Sequence, residues 1–296
     1  MKIKKYLLHV GYPKAGSTLL GDWFDKHPSI GFSDFTIGGI KDTNALIQLS
    51  KIDASAQPDV AVVRDMRFSI PRIEEIDLQD ISKIKKDQQR ICETLYSFFP
   101  NSKVLIVTRG YKSLISANYS QYIKEGGTYN VSEIQKFTFL LKELFDYSYL
   151  VEQYIQKFGS DNVLVLPFEL LKDDSLLFFD CIEKHLDIPH HEFKPLVLNP
   201  SLTLAEAKRL RQKSLFVERF TNRFGAVGER LKRRYIESRR KKAFDWDSTE
   251  IENFQVKVNN PLVELDETML SQFYMNSGSL KNYPVFKAYY THYGIS

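Results

Sequence analysis

The apolar run Tyr6-Leu7-Leu8-His9-Val10 stops abruptly at Gly11-Tyr12-Pro13-Lys14-Ala15-Gly16-Ser17-Thr18, after which Leu19, Leu20, Trp23 and Phe24 recur at helical spacing. A buried strand that enters a loop with two glycines and then opens a helix constrains the fold more than any other stretch. Backbone N–H groups of such a loop point inward, the helix dipole favours negative charge, and the glycines permit close approach. The segment therefore reads as an anion site. Lys14 adds a positive charge, and Ser17 and Thr18 add hydroxyl donors. A plain strand-to-helix turn is the competing reading.

Further apolar runs at Val60–Val63, Val104–Val107 and Val163–Leu166 predict three more strands. Helical periodicity is expected from Ile81 to Pro100, after Thr108 through Leu114, Ile115 and Tyr122, over about Val131–Phe158, and from Leu176 to Leu186. Strands alternating with helices predict an α/β fold, a P-loop-like parallel sheet flanked by helices. Ligands of such sheets bind beyond the carboxyl ends of the strands, which places the residues after Val10 and after Val107 on one edge. Beyond about residue 200 the chain turns basic and helix-prone over Ala205–Lys242. The expectation is one domain over 1–296, with a core of about 1–201 and a basic helical extension over about 202–296.

With 296 residues and 43% hydrophobic content the chain can bury one substantial core. Cys92 and Cys181 lie in apolar-periodic stretches and are expected to be buried thiols of a reducing compartment. The charged start Met-Lys-Ile-Lys-Lys precedes an apolar run of five residues, too short for a signal peptide or a membrane span. A cytoplasmic location follows as an expectation, with peripheral contact to a membrane surface left open. No His/Cys cluster has metal-ligand spacing, so no metal is expected.

The nucleoside-triphosphatase signature is G-x-x-x-x-G-K-[ST]. Gly11 and Gly16 have that spacing, but Ser17 occupies the lysine position and the lysine stands earlier, at Lys14. A triphosphatase places its lysine beside the β- and γ-phosphates. An earlier lysine suits a ligand whose reacting group sits on a single 5′-phosphate. A P-loop kinase or NTPase is the alternative class, with Asp65 the nearest candidate for a magnesium carboxylate.

Gly-Tyr-Pro-Lys-Ala-Gly-Ser-Thr resembles the 5′-phosphosulfate loop of sulfotransferases that use 3′-phosphoadenosine 5′-phosphosulfate (PAPS). The family's usual form is G-x-P-K/R-[SA]-G-T/S-[TS], then an apolar helix and often His-Pro, here His27-Pro28. The resemblance implies sulfuryl transfer from PAPS to a hydroxyl acceptor, a carbohydrate above others, with adenosine 3′,5′-bisphosphate (PAP) as the product. It implies Lys14 at the phosphosulfate bridge, with Tyr12, Pro13, Ala15, Gly16, Ser17 and Thr18 around the 5′-phosphate.

Arg109 closes the run Val104-Leu105-Ile106-Val107-Thr108 and is expected to emerge beside the first loop. Its planar fork suits a phosphate; taken alone it reads first as an exposed strand terminator, and its place on the ligand edge favours the phosphate. The segment resembles the family's 3′-phosphate site, an arginine with a serine eight residues on and an aromatic two further. Tyr119 matches the aromatic, but Ala117 holds the serine position and Ser116 falls one residue early. Ser116, Ser113 and Lys112 are the candidate substitutes. Pro167-Phe168-Glu169-Leu170-Leu171 and Asn199-Pro200-Ser201 resemble later family segments, and Tyr283–Tyr293 does so loosely. The resemblance spans residues 6 to about 201.

Transfer to a hydroxyl needs a base on the acceptor. Asp34, twenty residues after Lys14, is the first candidate, at an interval similar to that of carbohydrate sulfotransferases. Asp65 follows the second long strand and is the alternative, or it pairs with Arg64 and Arg67. His9 reads as a packed core histidine. Finally, Arg230–Lys242 places eight basic residues in thirteen. They form either a solvated helix end or a patch for an anionic partner, such as an acidic glycan, a glycolipid or a lipid surface. Nucleic acid is not expected, since no nucleic-acid-binding signature accompanies the patch.

Overall fold

Residues 5–32, 59–65, 68–69, 82–140, 142–194, 201–244, 262–263 and 267–295 are described in the computed structural model of the chain. Its sheet contains β1 (Lys5–Gly11), β2 (Ile30–Phe32), β3 (Val60–Arg64), β4 (Lys103–Thr108) and β5 (Val163–Pro167). All pairings are parallel and the order is β2-β3-β1-β4-β5. Val104, Leu105, Ile106 and Val107 have no exposed surface, as expected for a strand covered on both faces. The predicted α/β parallel sheet is therefore present. The three-residue β2 was not foreseen, because three residues give no readable period.

Helix α1 (Ser17–Lys26) buries Leu20, Gly21, Trp23 and Phe24. Trp23 stacks on Phe179 at 4.9 Å. Helix α2 (Ser82–Phe98) ends just before Pro100, and α3 (Tyr111–Lys124) follows β4. The single helix expected over Val131–Phe158 is interrupted. It becomes α4 (Val131–Leu140), a 3-10 turn at Lys142–Phe145, and α5 (Tyr147–Phe158). Asp146 explains the restart, since its carboxylate accepts the Tyr149 N–H at 2.9 Å as an N-cap. Then come α6 (Phe168–Asp173) and α7 (Ser175–Leu186), and later α8 (Leu204–Thr221), α9 (Gly225–Phe244), α10 (Glu267–Tyr274) and α11 (Tyr290–Tyr293). Cys92 is buried, with its thiol pushed up to about 12 by burial, whereas Cys181 is half-buried rather than enclosed.

The chain divides into two compact units. The first comprises 1–111, 140–195 and 268–296 and contains the sheet. The second comprises 112–139 and 196–267. Within the second, Arg211 donates to the Thr128 carbonyl and Arg239 to the Lys124 carbonyl. Thr203 and Glu206 form a reciprocal capping box at the start of α8. Among the described residues no helix is long and apolar enough to cross a membrane.

Candidate functional site

The loop between β1 and α1 sits on the central strand of the sheet, with β3 on one side and β4 on the other. Its shape is set by two residues in the left-handed region, Lys14 at φ 65° and Gly16 at φ 83°. Glycine tolerates that conformation freely, whereas lysine does not, so Lys14 is held there by its surroundings. The Tyr12 N–H donates to the Val107 carbonyl at 3.2 Å, and the Ala15 N–H donates back to the Tyr12 carbonyl at 3.1 Å. The Tyr12 ring turns into the core and meets Tyr147 edge-on at 4.7 Å. Ala15 is buried, while Pro13, Lys14, Gly16, Ser17 and Thr18 all keep accessible surface.

Gly16 is the N-cap of α1, whose first turn holds no acidic residue and no side-chain cap. The leading N–H groups of a helix have no partner within it, and they carry partial positive charge. A Cβ at Gly16 would lie 2.9 Å from Leu171 and 3.1 Å from Phe168. The loop thus fits a phosphate or sulfate group at an uncapped helix start, flanked by a lysine and two hydroxyls.

Arg109 leaves the end of β4 and reaches across to this loop. Its Nη1 donates to the Lys14 carbonyl, and its guanidinium lies 4.5 Å over the Phe168 ring. Burial pulls its pKa below the ordinary arginine value, opposed by the nearby Glu169 carboxylate. Glu169 is buried and holds the turn behind Arg109. One of its oxygens accepts the Gly110 N–H at 3.0 Å, and the other accepts the Tyr293 hydroxyl at 2.8 Å. Tyr293 in turn accepts from the Thr108 hydroxyl at 3.0 Å, and the Tyr147 hydroxyl donates to the Arg109 carbonyl. Burial and then the Glu169 charge raise the Tyr293 pKa well above the usual range, so it remains a donor. The residues flanking Arg109 in sequence, Thr108 and Gly110, are thus both tied to this network.

On the other side, β3 pairs with β1 so that Arg64 stands level with His9. Arg64 Nη1 donates to the Ser17 carbonyl at 2.6 Å, bracing the first turn of α1 from below. Asp65 follows directly at the same carboxyl edge and is half-buried. Its carbonyl accepts the Phe68 N–H at 3.1 Å. Asp34 lies outside the described residues. His9 is buried with neither ring nitrogen hydrogen-bonded, its pKa lowered to about 3 by burial and by the Arg64 charge. That matches a packed core histidine.

Ser116 belongs to the second unit, where its Oγ accepts the Leu262 N–H at 2.7 Å and is buried. The sequence reading singled out Lys14 and Arg109, and the fold brings the two into direct contact. It passed over Arg64 as a brace and Tyr293 as a clamp. Arg64 did stand in the same tetrapeptide as Asp65, and Tyr293 closed a stretch already noted as loosely similar.

A parallel sheet whose central strand runs through a glycine-containing loop into a helix, with cationic side chains from both neighbouring strand ends, defines a P-loop-like α/β protein. No protein-family model matches the chain, and no curated protein matches it in sequence. Among solved structures it is similar to a sulfotransferase from Alicyclobacillus acidocaldarius, at 15% identity and TM-score 0.49, over 79% of this chain and 96% of that one. It is also similar to mouse sulfotransferase SULT7A1 complexed with PAP, at 16% identity and TM-score 0.42, over 72% of this chain and 64% of that one. A third, sulfotransferase STF9 from Mycobacterium avium, has 13% identity and TM-score 0.35, over 73% and 77%.

Proposed function

We propose that the chain transfers a sulfuryl group from PAPS to a hydroxyl of a carbohydrate or glycolipid acceptor. The observation that carries this reading is the position of Lys14: it stands at the crest of the loop in a strained conformation, and its carbonyl is held by Arg109. A lysine at that point suits a ligand whose reacting group sits on a single 5′-phosphate, whereas the P-loop lysine that reaches the β- and γ-phosphates of a triphosphate follows the second glycine. Bound PAPS supplies an activated sulfuryl group whose bond to the 5′-phosphate oxygen breaks as a bond to the acceptor oxygen forms. The chain's own contribution is positive charge and N–H donors on the departing phosphate, from Lys14, Ser17, Thr18 and the α1 start, with Arg109 as a further anchor. The acceptor proton goes to a carboxylate, Asp34 in the first instance and Asp65 as the alternative.

Calorimetric titration with PAP, ADP, GDP, ATP and GTP, with and without magnesium, tests the reading. PAP should bind without magnesium and more tightly than either diphosphate. A magnesium-dependent preference for a nucleoside triphosphate would assign the chain to the kinase and NTPase class instead.

A further inference from the structure

Helices α8 and α9 form a hairpin within the second unit. Their facing sides are well made. Ser214 and Tyr235 meet at 3.1 Å, Lys232 pairs with Glu218 at 2.7 Å, and a Cβ at Gly228 would run into the Thr221 carbonyl. The outward side is unlike an ordinary solvated surface. Phe216 is 71% exposed, Phe220 50%, Phe224 49%, Val227 64% and Leu231 43%. The three rings form a ladder, with centroids 6.4 Å apart between Phe216 and Phe220 and 5.0 Å between Phe220 and Phe224. Scattered exposed apolar residues are normal, but a contiguous run of large ones marks an interaction surface.

Positive charge surrounds this ladder. Residues 204–244 hold fourteen Lys and Arg against four Glu, although the whole chain has 41 basic and 37 acidic residues. The remainder is therefore acidic, and the positive charge is concentrated on this hairpin. Arg209 and Lys213 share the outer face of α8 with Phe216 and Phe220 by their spacing of four, three and four, and they line a groove of about 520 Å³ with Phe216, Val217 and Tyr235. Arg219, Arg223, Arg230 and Arg234 are exposed alongside the apolar run. Exposed aromatic and aliphatic side chains interleaved with arginines suit a surface that is negatively charged outside and hydrocarbon within.

We propose that the outward face of the α8–α9 hairpin docks on an anionic lipid bilayer, with the Phe216–Phe220–Phe224 ladder entering the headgroup region and the flanking arginines meeting lipid phosphates. A soluble polyanion would use the arginines but leave the phenylalanines in water, so the rings favour a membrane. The docking is independent of the nucleotide site and of the reaction assigned to it.

Co-sedimentation of the full chain with vesicles tests this. The protein should partition onto phosphatidylcholine vesicles containing phosphatidylglycerol and stay in solution with phosphatidylcholine alone. The triple variant Phe216→Ser, Phe220→Ser, Phe224→Ser should keep its thermal midpoint and PAP affinity yet partition about tenfold less or weaker. Arg219→Glu with Arg223→Glu should do the same. Unchanged partitioning of the serine variant would overturn the proposal, as would binding to heparin without binding to vesicles. A concentration-dependent dimer that disperses in the serine variant would assign the face to a second copy of the chain and overturn it equally.

Discussion

The guanidinium of Arg109 is bonded to the backbone carbonyl of Lys14, ninety-five positions earlier in the chain. The two cationic side chains of the candidate site are therefore mechanically joined: the strand end that carries one fixes the loop that carries the other. Both the conformation of Lys14 and the aim of Arg109 depend on that bond, on the Phe168 ring beneath the guanidinium, and on the Glu169 network behind it.

Lys14 separates stability from function. A side chain at φ 65° costs about 1 kcal/mol relative to glycine, set against the extra unfolded-state freedom that glycine brings. Lys14→Gly should therefore leave stability within about 1 kcal/mol of the native value or raise it, while transfer is nearly abolished. Urea unfolding together with a PAP-release assay checks this. A Lys14→Gly protein that retains full transfer would remove Lys14 from the site.

Arg109→Lys keeps the charge and loses the fork. A lysine cannot hold the Lys14 carbonyl, cover the Phe168 ring and offer a bidentate face to a phosphate at once. PAP affinity should fall by about tenfold to a hundredfold, read by calorimetry, with the fold retained by circular dichroism. Equal affinity in the two proteins would show that Arg109 serves only the loop's architecture.

The parts of this site that could be read in the sequence are those written locally. Gly11, Lys14 and Gly16 lie within six residues, and their strand-to-helix context is visible on either side. The four apolar residues Val104–Val107 announce β4 and so the exit point of Arg109. The Glu169–Tyr293 pair was invisible for the opposite reason. A buried carboxylate and tyrosine 124 positions apart leave no periodic mark, and only the packed fold shows that they meet. The break at Asp146 was missed because a capping carboxylate overrides an otherwise continuous apolar stripe. The exposure of Phe216 and Phe220 is likewise not written locally, because only the fold shows which face of a helix is covered.

Tyr293→Phe removes one hydroxyl from a buried network. Glu169 loses a donor and Thr108 loses an acceptor, at a cost of about 1–3 kcal/mol. A lowered denaturation midpoint accompanied by weaker PAP binding is expected, since the same network holds the turn at Gly110. Weaker stability with unchanged PAP affinity would show that the clamp does not reach Arg109.

His9 makes stability pH-dependent. Its pKa is lowered from 6.5 to about 3 in the native protein, so across that window the unfolded chain holds a proton that the native one lacks. Stability therefore falls as the pH drops below 6.5, by about 1.4 kcal/mol per pH unit for such a group. His185, lowered to about 4 by burial and the Lys103 charge, adds a second contribution of the same sign. Denaturant melts at pH 6.5 and pH 5 should show this slope reduced by about one proton in His9→Leu. An identical slope in the variant would mean that His9 titrates normally in the fold.

The tyrosine that closes the Glu169 network stands 185 positions beyond the threonine it meets. During translation the Gly11–Thr18 loop and β4 are both made before it, and the turn that aims Arg109 can adopt its final hold only when Tyr293 emerges. A nascent chain thus carries the loop and the arginine long before it carries the lock that sets them against each other. The candidate site is complete only once the chain has been made as far as Tyr293.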